Sequence, residues 1–295
     1  MTNSTGNLVI VGFQKAGTTS IKNYLSQHSL ILGHASTEMT YFSNESEYNA
    51  GFKAAHKGYY SQTPLEGYRY LLTKHATLIR KEENIKRLKD FNPQSKILVC
   101  MRDPVIRAFS SYLMERTNGS IGEVGFSEIV TEAFASESSG NANWHYNVFI
   151  RLGQYADYIE ILLRYFSKSQ ILFLFIEDFK KNPEGELRTI VEWLNLSWED
   201  SINLKKEHNT FKGSRSKTLN LITKLFLNER SVLKRIAKKV LPIEMQNSIG
   251  EGIRNFNKVE AKKPELEELT RIRLSRHYKP YNLKLAQLLK RDLPF

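Results

Sequence analysis

The 295-residue chain has a single cysteine, Cys100, and no hydrophobic run long enough to cross a bilayer. A lone cysteine excludes an intramolecular disulfide framework and a zinc site built from several cysteines. The longest apolar stretches, residues 8–13 and 171–176, fall far short of the roughly 20 residues of a membrane-spanning helix. Residues 1–7 lack the basic and apolar regions of a secretory signal. We therefore expect a soluble, cytoplasmic protein.

Acidic residues are fewer than basic ones, and metal-ligating residues show no grouping. The chain has 43 Lys and Arg against 31 Asp and Glu, which gives a net charge of +12. This excess favours an anionic partner, such as nucleic acid, acidic lipid or a phosphorylated nucleotide. No nucleic-acid-binding module is recognisable, so we expect no nucleic acid as partner. The seven histidines form no His-x-x-x-His or Cys/His grouping, so we expect no metal site.

Buried strands alternate with amphipathic helices along the chain. Continuous apolar runs predict three buried parallel strands, over residues 8–13, 97–101 and 171–176. Apolar spacing and turn residues predict four helices, over residues 18–27, 105–114, 153–166 and 187–194. This alternation predicts an α/β fold of P-loop type, with a central parallel sheet flanked by helices and a helical C-terminal part. We expect a single domain over residues 1–295, in which the basic, mostly helical residues 210–263 form a lid-like segment.

A loop with a glycine at each end stands between the first predicted strand and its helix. Gly12 and Gly17 have the spacing of the two glycines in a Walker A loop, but the lysine lies inside the loop, at Lys15. Backbone N–H groups at a helix N-terminus bind anions. The displaced lysine therefore indicates an anion other than the phosphates of a Walker A nucleotide. The alternative is an ordinary tight turn with an exposed lysine.

A second basic motif follows the second predicted strand. Arg102 comes directly after that strand, and Ser110 lies two turns into the next helix. Open α/β sheets bind ligands at the carboxyl ends of their strands, and a guanidinium can bind two phosphate oxygens at once. Both residues are therefore candidates for a phosphate site. The alternative is a salt bridge between Arg102 and Asp103 at the start of the helix.

Together the two motifs resemble the sulfotransferases that use 3′-phosphoadenosine 5′-phosphosulfate as their donor. The resemblance implies that the loop grips the 5′-phosphosulfate, through Lys15, Ala16, Gly17, Thr18, Thr19 and Ser20. It implies that Arg102 and Ser110 grip the 3′-phosphate. A late basic stretch resembles the loop that closes over the nucleotide, and its candidate contacts are Lys212, Gly213, Arg215 and Lys217. The implied product is adenosine 3′,5′-bisphosphate, and no metal is required.

Two further segments resemble the branch of this family that sulfates heparan sulfate and other glycans. Glu38-Met-Thr-Tyr41-Phe42 is similar to a Glu-x-x-Phe-Phe segment whose glutamate is the general base. Lys74 is similar to the lysine of a Glu-Lys-Thr-Pro element, although the Glu, Thr and Pro are missing here. The following His75 is an alternative base, because small-molecule sulfotransferases use a histidine shortly after a lysine. The resemblance implies that Glu38, Lys15, Lys74 and His75 are catalytic and that the acceptor is a carbohydrate or glycolipid.

The residues by themselves leave two other functions open. A P-loop kinase would bind ATP with Mg²⁺ more tightly than adenosine 3′,5′-bisphosphate. A basic nucleic-acid-binding protein would bind any duplex with a steep salt dependence. Residues 231–241 have the pattern of a basic amphipathic helix, which is typical either of a packed helix with a solvated basic face or of peripheral contact with an anionic membrane.

Overall fold

The computed structural model describes residues 6–60, 67–204, 212–214, 258–260 and 264–295. These residues separate into two compact units. The first unit takes its residues from 6–108, 147–204 and 272–295, and the second from 109–146 and from the described residues between 212 and 271. The expectation of a single domain stays a prediction. The predicted lid over residues 210–263 lies almost entirely outside the described residues.

A five-stranded parallel sheet forms the centre of the first unit. Its strands are β1 (Gly6–Gly12), β2 (Ile31–Gly33), β3 (Tyr70–Lys74), β4 (Lys96–Met101) and β5 (Ile171–Phe175). They lie in the order β2-β3-β1-β4-β5, and every neighbouring pair is parallel. The three predicted strands and the α/β fold with a central parallel sheet are thereby confirmed. The predicted third strand stops one residue early, because Ile176 begins a helix.

The described residues contain ten α-helices, and helices flank the sheet. Their bounds are α1 (Thr18–Leu25), α2 (Glu45–Ala50), α3 (Phe52–Tyr59), α4 (Glu82–Phe91), α5 (Pro104–Thr117), α6 (Phe126–Ser138), α7 (Tyr155–Tyr165), α8 (Ile176–Lys181), α9 (Pro183–Trp193) and α10 (Glu268–Leu289). All four predicted helices are present. The last of them, α9, begins four residues before the predicted start. Asn182 caps it by accepting a hydrogen bond from the Gly185 amide at 3.0 Å, and Pro183 takes the first helical position, where its missing N–H costs nothing.

The central strands are hydrophobic because neither of their faces meets water. Every residue of β1 after Gly6 is buried, and so is every residue of β4 after Lys96. Cys100 lies fully buried in β4, and burial raises the pKa of its thiol to about 12. A thiol of that kind acts as a small hydrophobic side chain.

The second unit contains α6 and a two-stranded antiparallel sheet. That sheet pairs β6 (Lys212–Ser214) with β7 (Lys258–Glu260). The buried residues of α6 recur at helical spacing, at Phe126, Ile129, Val130 and Ala133. None of the helices described in either unit has the length and apolar character needed to cross a membrane.

The parallel strands all end at one edge of the sheet, and β1 stands at its centre. The chain moves from β1 to β2 and β3 on one side, and then to β4 and β5 on the other. Open parallel sheets bind ligands outside the carboxyl ends of their strands, at the point where this direction changes. The loop after β1 occupies that point.

Candidate active site

The loop that joins β1 to α1 (residues 13–17, the phosphate loop) contains two residues with left-handed backbone. The φ angle is +71° at Lys15 and +79° at Gly17. Gly17 is required there for a second reason, since a Cβ atom at this position would lie 2.5 Å from Cδ1 of Ile176. For Lys15 the left-handed region costs about 1–2 kcal/mol. Strain of this kind is concentrated at functional sites, and here it fixes the direction in which the Lys15 side chain leaves the loop.

Helix α1 begins directly behind the phosphate loop without a side-chain cap, because its N-cap residue is Gly17. Its first-turn amides and the positive end of its dipole are therefore directed toward the loop. Thr18 is buried in this turn, and Thr19 and Ser20 are half-buried. Amides, hydroxyls and one lysine together form an anion site.

Arg102 joins the second motif to the first. Its Nη1 donates a hydrogen bond to the carbonyl oxygen of Lys15 at 3.3 Å. The Tyr155 hydroxyl donates to the carbonyl oxygen of Arg102 at 2.7 Å, which fixes the backbone beyond β4. Asp103 does not form the salt bridge considered above. Its carboxylate caps α5 and accepts from the amide of Val105 at 2.8 Å.

The Arg102 guanidinium is partly buried. Burial lowers the pKa of Arg102, while the negative charges of Glu177 and Asp103 favour its charged form. The bond to Lys15 uses one of the five N–H donors of the guanidinium. The other donors give Arg102 the capacity to bind an anion at the carboxyl end of β4.

The other residues predicted to bind the sulfonate donor lie outside the phosphate loop and its neighbours. Ser110 lies in α5 among the residues of the second unit. Lys212 and Gly213 form part of β6. Arg215 and Lys217 lie outside the described residues. The contacts predicted for these five residues with the 3′-phosphate stay predictions.

Glu38 and Lys74 form an ion pair beside the phosphate loop. Nζ of Lys74 lies 2.6 Å from Oε1 of Glu38, and the lysine side chain is 1% exposed. The ammonium also donates to Oγ1 of Thr19 at 3.1 Å and to the carbonyl oxygen of Thr37 at 2.8 Å, so all three of its donors are used. Oε2 of Glu38 accepts from the Ala76 amide at 2.9 Å. The Glu38 side chain is still 35% exposed, so the carboxylate is both held in place and reachable.

Buried aromatic rings anchor the segment that carries Glu38. The rings of Tyr41 and Phe42 lie 5.0 Å apart, and both also pack against Phe91. Both side chains are almost fully buried. The Glu-x-x-Tyr-Phe spacing therefore places one carboxylate at the site and two rings in the core.

His75 lies next to Lys74, with its ring between two hydroxyl groups. Its Nδ1 lies 3.4 Å from Oγ of Ser43, and its Nε2 lies 3.1 Å from Oγ1 of Thr77. Burial lowers the pKa of His75, and the charge of Glu38 opposes that effect. Its role as an alternative base stays a prediction.

Lys22 is a buried lysine that the sequence motifs do not identify. Its Nζ donates to the carbonyl oxygen of Ser36 at 2.9 Å. Burial, with help from the charge of Lys74, lowers the pKa of Lys22 to about 8, against the opposing effect of Glu38. Lys22 follows Thr18 by one helical turn and so lies on the same face of α1. That spacing is the signal in the sequence that could have identified it.

His34, directly after β2, connects the two lysines through hydrogen bonds. Its Nε2 accepts from the backbone amide of Lys74 at 3.1 Å, so the ring proton is on Nδ1, which lies 3.0 Å from Oγ of Ser36. The Ser36 hydroxyl in turn donates to the carbonyl oxygen of Glu38 at 2.9 Å. Burial and the charges of Lys22 and Lys74 lower the pKa of His34 to about 3, so its ring is neutral near pH 7. Glu38, Lys74, Lys22, His34 and Ser36 form one network (the acid–base cluster).

The described residues show an excess of positive charge at this edge of the sheet. The positive groups are Lys15, Lys22, Lys74 and Arg102, and the carboxylates that interact with them are those of Glu38, Glu177 and Asp103. Within the described ranges, no group of three or more His, Cys, Asp and Glu side chains could hold a metal ion. The site is therefore suited to an anionic ligand.

Comparisons with known proteins agree with this geometry. The family model described as the sulfotransferase domain matches residues 5–286. The mouse protein heparan sulfate glucosamine 3-O-sulfotransferase 3A1 is 29% identical over 188 residues, which cover 64% of this chain and 45% of that protein. The bifunctional heparan sulfate N-deacetylase/N-sulfotransferase of Drosophila melanogaster is 26% identical over 205 residues, which cover 64% of this chain and 19% of that protein. The chain thus spans less than half the length of either relative.

Solved structures extend the likeness to the fold. A crystal structure of a sulfotransferase from Alicyclobacillus acidocaldarius superposes with a TM-score of 0.65 at 19% identity, and the superposition covers 98% of this chain and 97% of that one. The resemblance noted from the two anion-binding motifs is confirmed. Since the family model covers nearly the whole sequence, this chain belongs to the sulfotransferase domain family.

Proposed function

We propose that this chain is an enzyme that transfers a sulfonate group from 3′-phosphoadenosine 5′-phosphosulfate to a hydroxyl of a carbohydrate. One observation carries the proposal: the phosphate loop, Arg102 and the Glu38–Lys74 pair lie together at the carboxyl edge of one sheet. The Arg102–Lys15 and Lys74–Thr19 hydrogen bonds connect them directly. An anion site and a reachable carboxylate are the two parts that such a transfer needs.

The phosphate loop and Arg102 suit the two ends of the donor. Sulfonate transfer resembles phosphoryl transfer, which proceeds through a loose transition state and depends on positioning and electrostatics. Lys15 and the first-turn amides of α1 would hold the 5′ end and stabilise the negative charge that grows on the leaving oxygen. Arg102 would bind the 3′-phosphate. The left-handed backbone of Lys15 fixes the direction of its Cα–Cβ bond, so the side chain leaves the loop in one direction before the donor binds.

Glu38 suits the role of general base. An alcohol keeps its proton until attack, so a positioned base must accept that proton. The two hydrogen bonds to Glu38 use two of about four lone-pair positions on a carboxylate, and its partial exposure leaves the others accessible. Lys74, which is saturated by its three acceptors, orients this carboxylate.

The carbohydrate acceptor is supported by the relatives and by one motif. The names of the mouse and fruit-fly proteins refer to heparan sulfate. The Glu38-x-x-Tyr41-Phe42 segment resembles the matching segment of the sulfotransferases that act on heparan sulfate and other glycans. A glycolipid acceptor, contact with an anionic membrane and a cytoplasmic location stay predictions.

Isothermal titration with adenosine 3′,5′-bisphosphate, and separately with ATP and Mg²⁺, tests the donor assignment. We expect tighter binding of the bisphosphate. Arg102→Ala should weaken that binding by about 10- to 100-fold, the usual effect of losing a charge-assisted hydrogen bond. The matched control is Arg164→Ala, since this exposed arginine of α7 pairs only with Glu82 among the described residues. Tighter binding of ATP would instead indicate a P-loop kinase.

A transfer assay with sulfur-labelled donor tests the reaction itself. We expect label to reach an oligosaccharide when carbohydrate and glycolipid acceptors are offered in parallel. Transfer to the glycolipid alone would correct the acceptor class. Steep salt-dependent binding to any duplex, without dependence on Lys15, would point to a nucleic-acid-binding protein instead.

A further inference from the structure

A cavity of about 250 Å³ lies in the first unit and belongs to none of the motifs discussed above. Its lining consists of Arg80, Asn147, Arg151, Asp157, Tyr158 and Ile161. Pockets that enclose an entire small ligand usually measure about 300–1,000 Å³. A cavity slightly below that range is suited to one unit of a larger molecule.

The cavity adjoins the candidate active site through two of its walls. The Tyr158 ring packs edge-on against the ring of Phe13, the first residue of the phosphate loop, at 5.6 Å. Arg80 ends the short turn Leu78–Arg80, which follows Ala76, whose amide holds the Glu38 carboxylate. The cavity therefore lies at the same edge of the sheet as the phosphate loop and the acid–base cluster.

Two guanidinium groups line this cavity without partners in the described part of the chain. Arg80 and Arg151 are both exposed, and neither side chain forms a hydrogen bond or ion pair with any described residue. The one acidic residue of the lining is Asp157, which shares the ammonium of Lys284 with Glu160 at 3.4 and 2.8 Å respectively. Two arginines against one aspartate leave the lining net positive.

The two arginine charges act on one point of the cavity wall. Burial raises the pKa of Tyr158, and the positive charges of Arg151 and Arg80 both oppose that rise. The geometric basis is the cavity itself, since both arginines line the same space of about 250 Å³. Their effect on Tyr158 agrees with that placement.

We propose that Arg80 and Arg151 form an acceptor subsite that binds a carboxylate or sulfate group of the carbohydrate. This inference rests on the proposed function, because it concerns the acceptor of that reaction. Arginine pairs with both kinds of oxyanion through two parallel hydrogen bonds. The Tyr158 hydroxyl offers a hydrogen-bonding group for a neighbouring sugar hydroxyl.

The test compares three tetrasaccharides that share one backbone of glucuronate and N-acetylglucosamine. One carries its carboxylates, one is carboxyl-reduced and neutral, and one is carboxyl-reduced and then sulfated. Steady-state kinetics are measured for the wild-type enzyme and for an Arg80→Gln/Arg151→Gln double variant. Arg164→Gln is the matched control, since it removes an exposed arginine of the same helix that is not among the residues lining the cavity and that pairs with Glu82.

We expect the double variant to raise KM about tenfold or more for the charged tetrasaccharides, and to change KM for the neutral one by less than twofold. The carboxylate and sulfate arms identify which oxyanion is preferred. Affinity for adenosine 3′,5′-bisphosphate and the thermal denaturation midpoint should match the wild type, which excludes misfolding. Equal changes in KM for the charged and neutral acceptors, or no change for any of them, would contradict the proposed subsite.

Failure of the subsite is distinguishable from failure of the proposed function. A wild-type protein that binds no adenosine 3′,5′-bisphosphate and transfers no label contradicts the proposed function. In that case titration of the same three tetrasaccharides still decides the subsite. Charge-selective binding that the double variant loses supports it, and unselective or absent binding contradicts it.

Discussion

The phosphate loop and the acid–base cluster lie side by side, but the chain builds them in different ways. The loop takes its residues from one short stretch between β1 and α1. The cluster takes Lys22 from α1, Lys74 from β3, and His34, Ser36 and Glu38 from the segment after β2. A local conformation shapes the loop, whereas the order of the strands assembles the cluster. Substitutions in the two regions should therefore have different effects.

The acid–base cluster should show the largest loss of turnover. Glu38→Gln keeps the size of the side chain but removes the base and replaces one of its two acceptor oxygens by an NH2 group. We therefore expect turnover to fall by about 10²–10⁴-fold. Affinity for adenosine 3′,5′-bisphosphate should stay nearly unchanged, because the Glu38 carboxylate itself bonds to Lys74 and Ala76 and not to the phosphate loop. Single-turnover kinetics with labelled donor and titration measure the two quantities.

The matched control for this substitution is Glu83→Gln, because Glu83 is an exposed carboxylate of α4. Unchanged turnover in Glu38→Gln would remove the base role from Glu38. In that event His75→Ala, which should otherwise have the smaller effect, would become the variant that abolishes proton transfer.

Two substitutions of Lys15 in the phosphate loop should lower turnover equally but differ in their effect on stability. Lys15→Ala and Lys15→Gly both remove the charge that stabilises the leaving oxygen, so each should lower turnover by about 10²–10³-fold. The glycine variant should be about 1 kcal/mol more stable than the alanine variant, because only glycine adopts φ +71° without strain. Urea denaturation measures that difference. Equal stability of the two variants would show that the loop backbone is not strained.

The smallest expected effect lies in the pH dependence of stability. The pKa of Lys22 is lowered from 10.5 to about 8 in the folded protein. Between these two values the unfolded chain binds more protons than the folded one, so this lysine makes the free energy of unfolding rise as pH increases from about 8 to 10.5. Below pH 8 the lysine is protonated in both states, and its contribution to the pH slope is absent.

Lys22→Met should remove this contribution, which is at most about 1.4 kcal/mol per pH unit. The measurement is urea denaturation at pH 7.5, 9 and 10, and the relevant quantity is the wild-type value minus that of the variant, since tyrosines and Cys100 also titrate in this range. Lys53→Met, at an exposed lysine of α3, is the control. Parallel curves for wild type and Lys22→Met would mean that Lys22 is as well solvated as an ordinary lysine.

Patterns in the sequence predicted the strands that have continuous apolar runs and missed the others. β1, β4 and β5 read as buried strands because almost every side chain is apolar. β3 ends in Thr73 and Lys74, and β2 has three residues, so neither produces such a run. The apolar run extends the third predicted strand to Ile176, but this residue begins α8, because Glu177 and Asp178 in the first turn favour a helix.

The residues of the candidate site likewise fall into those that a local sequence pattern identifies and those that it does not. The strained lysine, the uncapped helix start and the arginine after β4 follow from residues that are neighbours in the sequence, so their motifs are visible there. The bond between Lys74 and Glu38 joins residues 36 positions apart. No local pattern in the sequence indicates that Lys22 and Lys74 are buried, because lysine side chains are usually solvated.

The sequence by itself determined the α/β alternation, the phosphate loop and the arginine that follows β4, because strand burial and backbone conformation depend on near neighbours. Only the tertiary structure decided that Glu38, Lys74 and Lys22 share one network and that Arg80 and Arg151 line one cavity. Those contacts depend on which strands are adjacent and on how the chain crosses between them. Burial of a charged group becomes stable only when that packing brings its partners within hydrogen-bond distance.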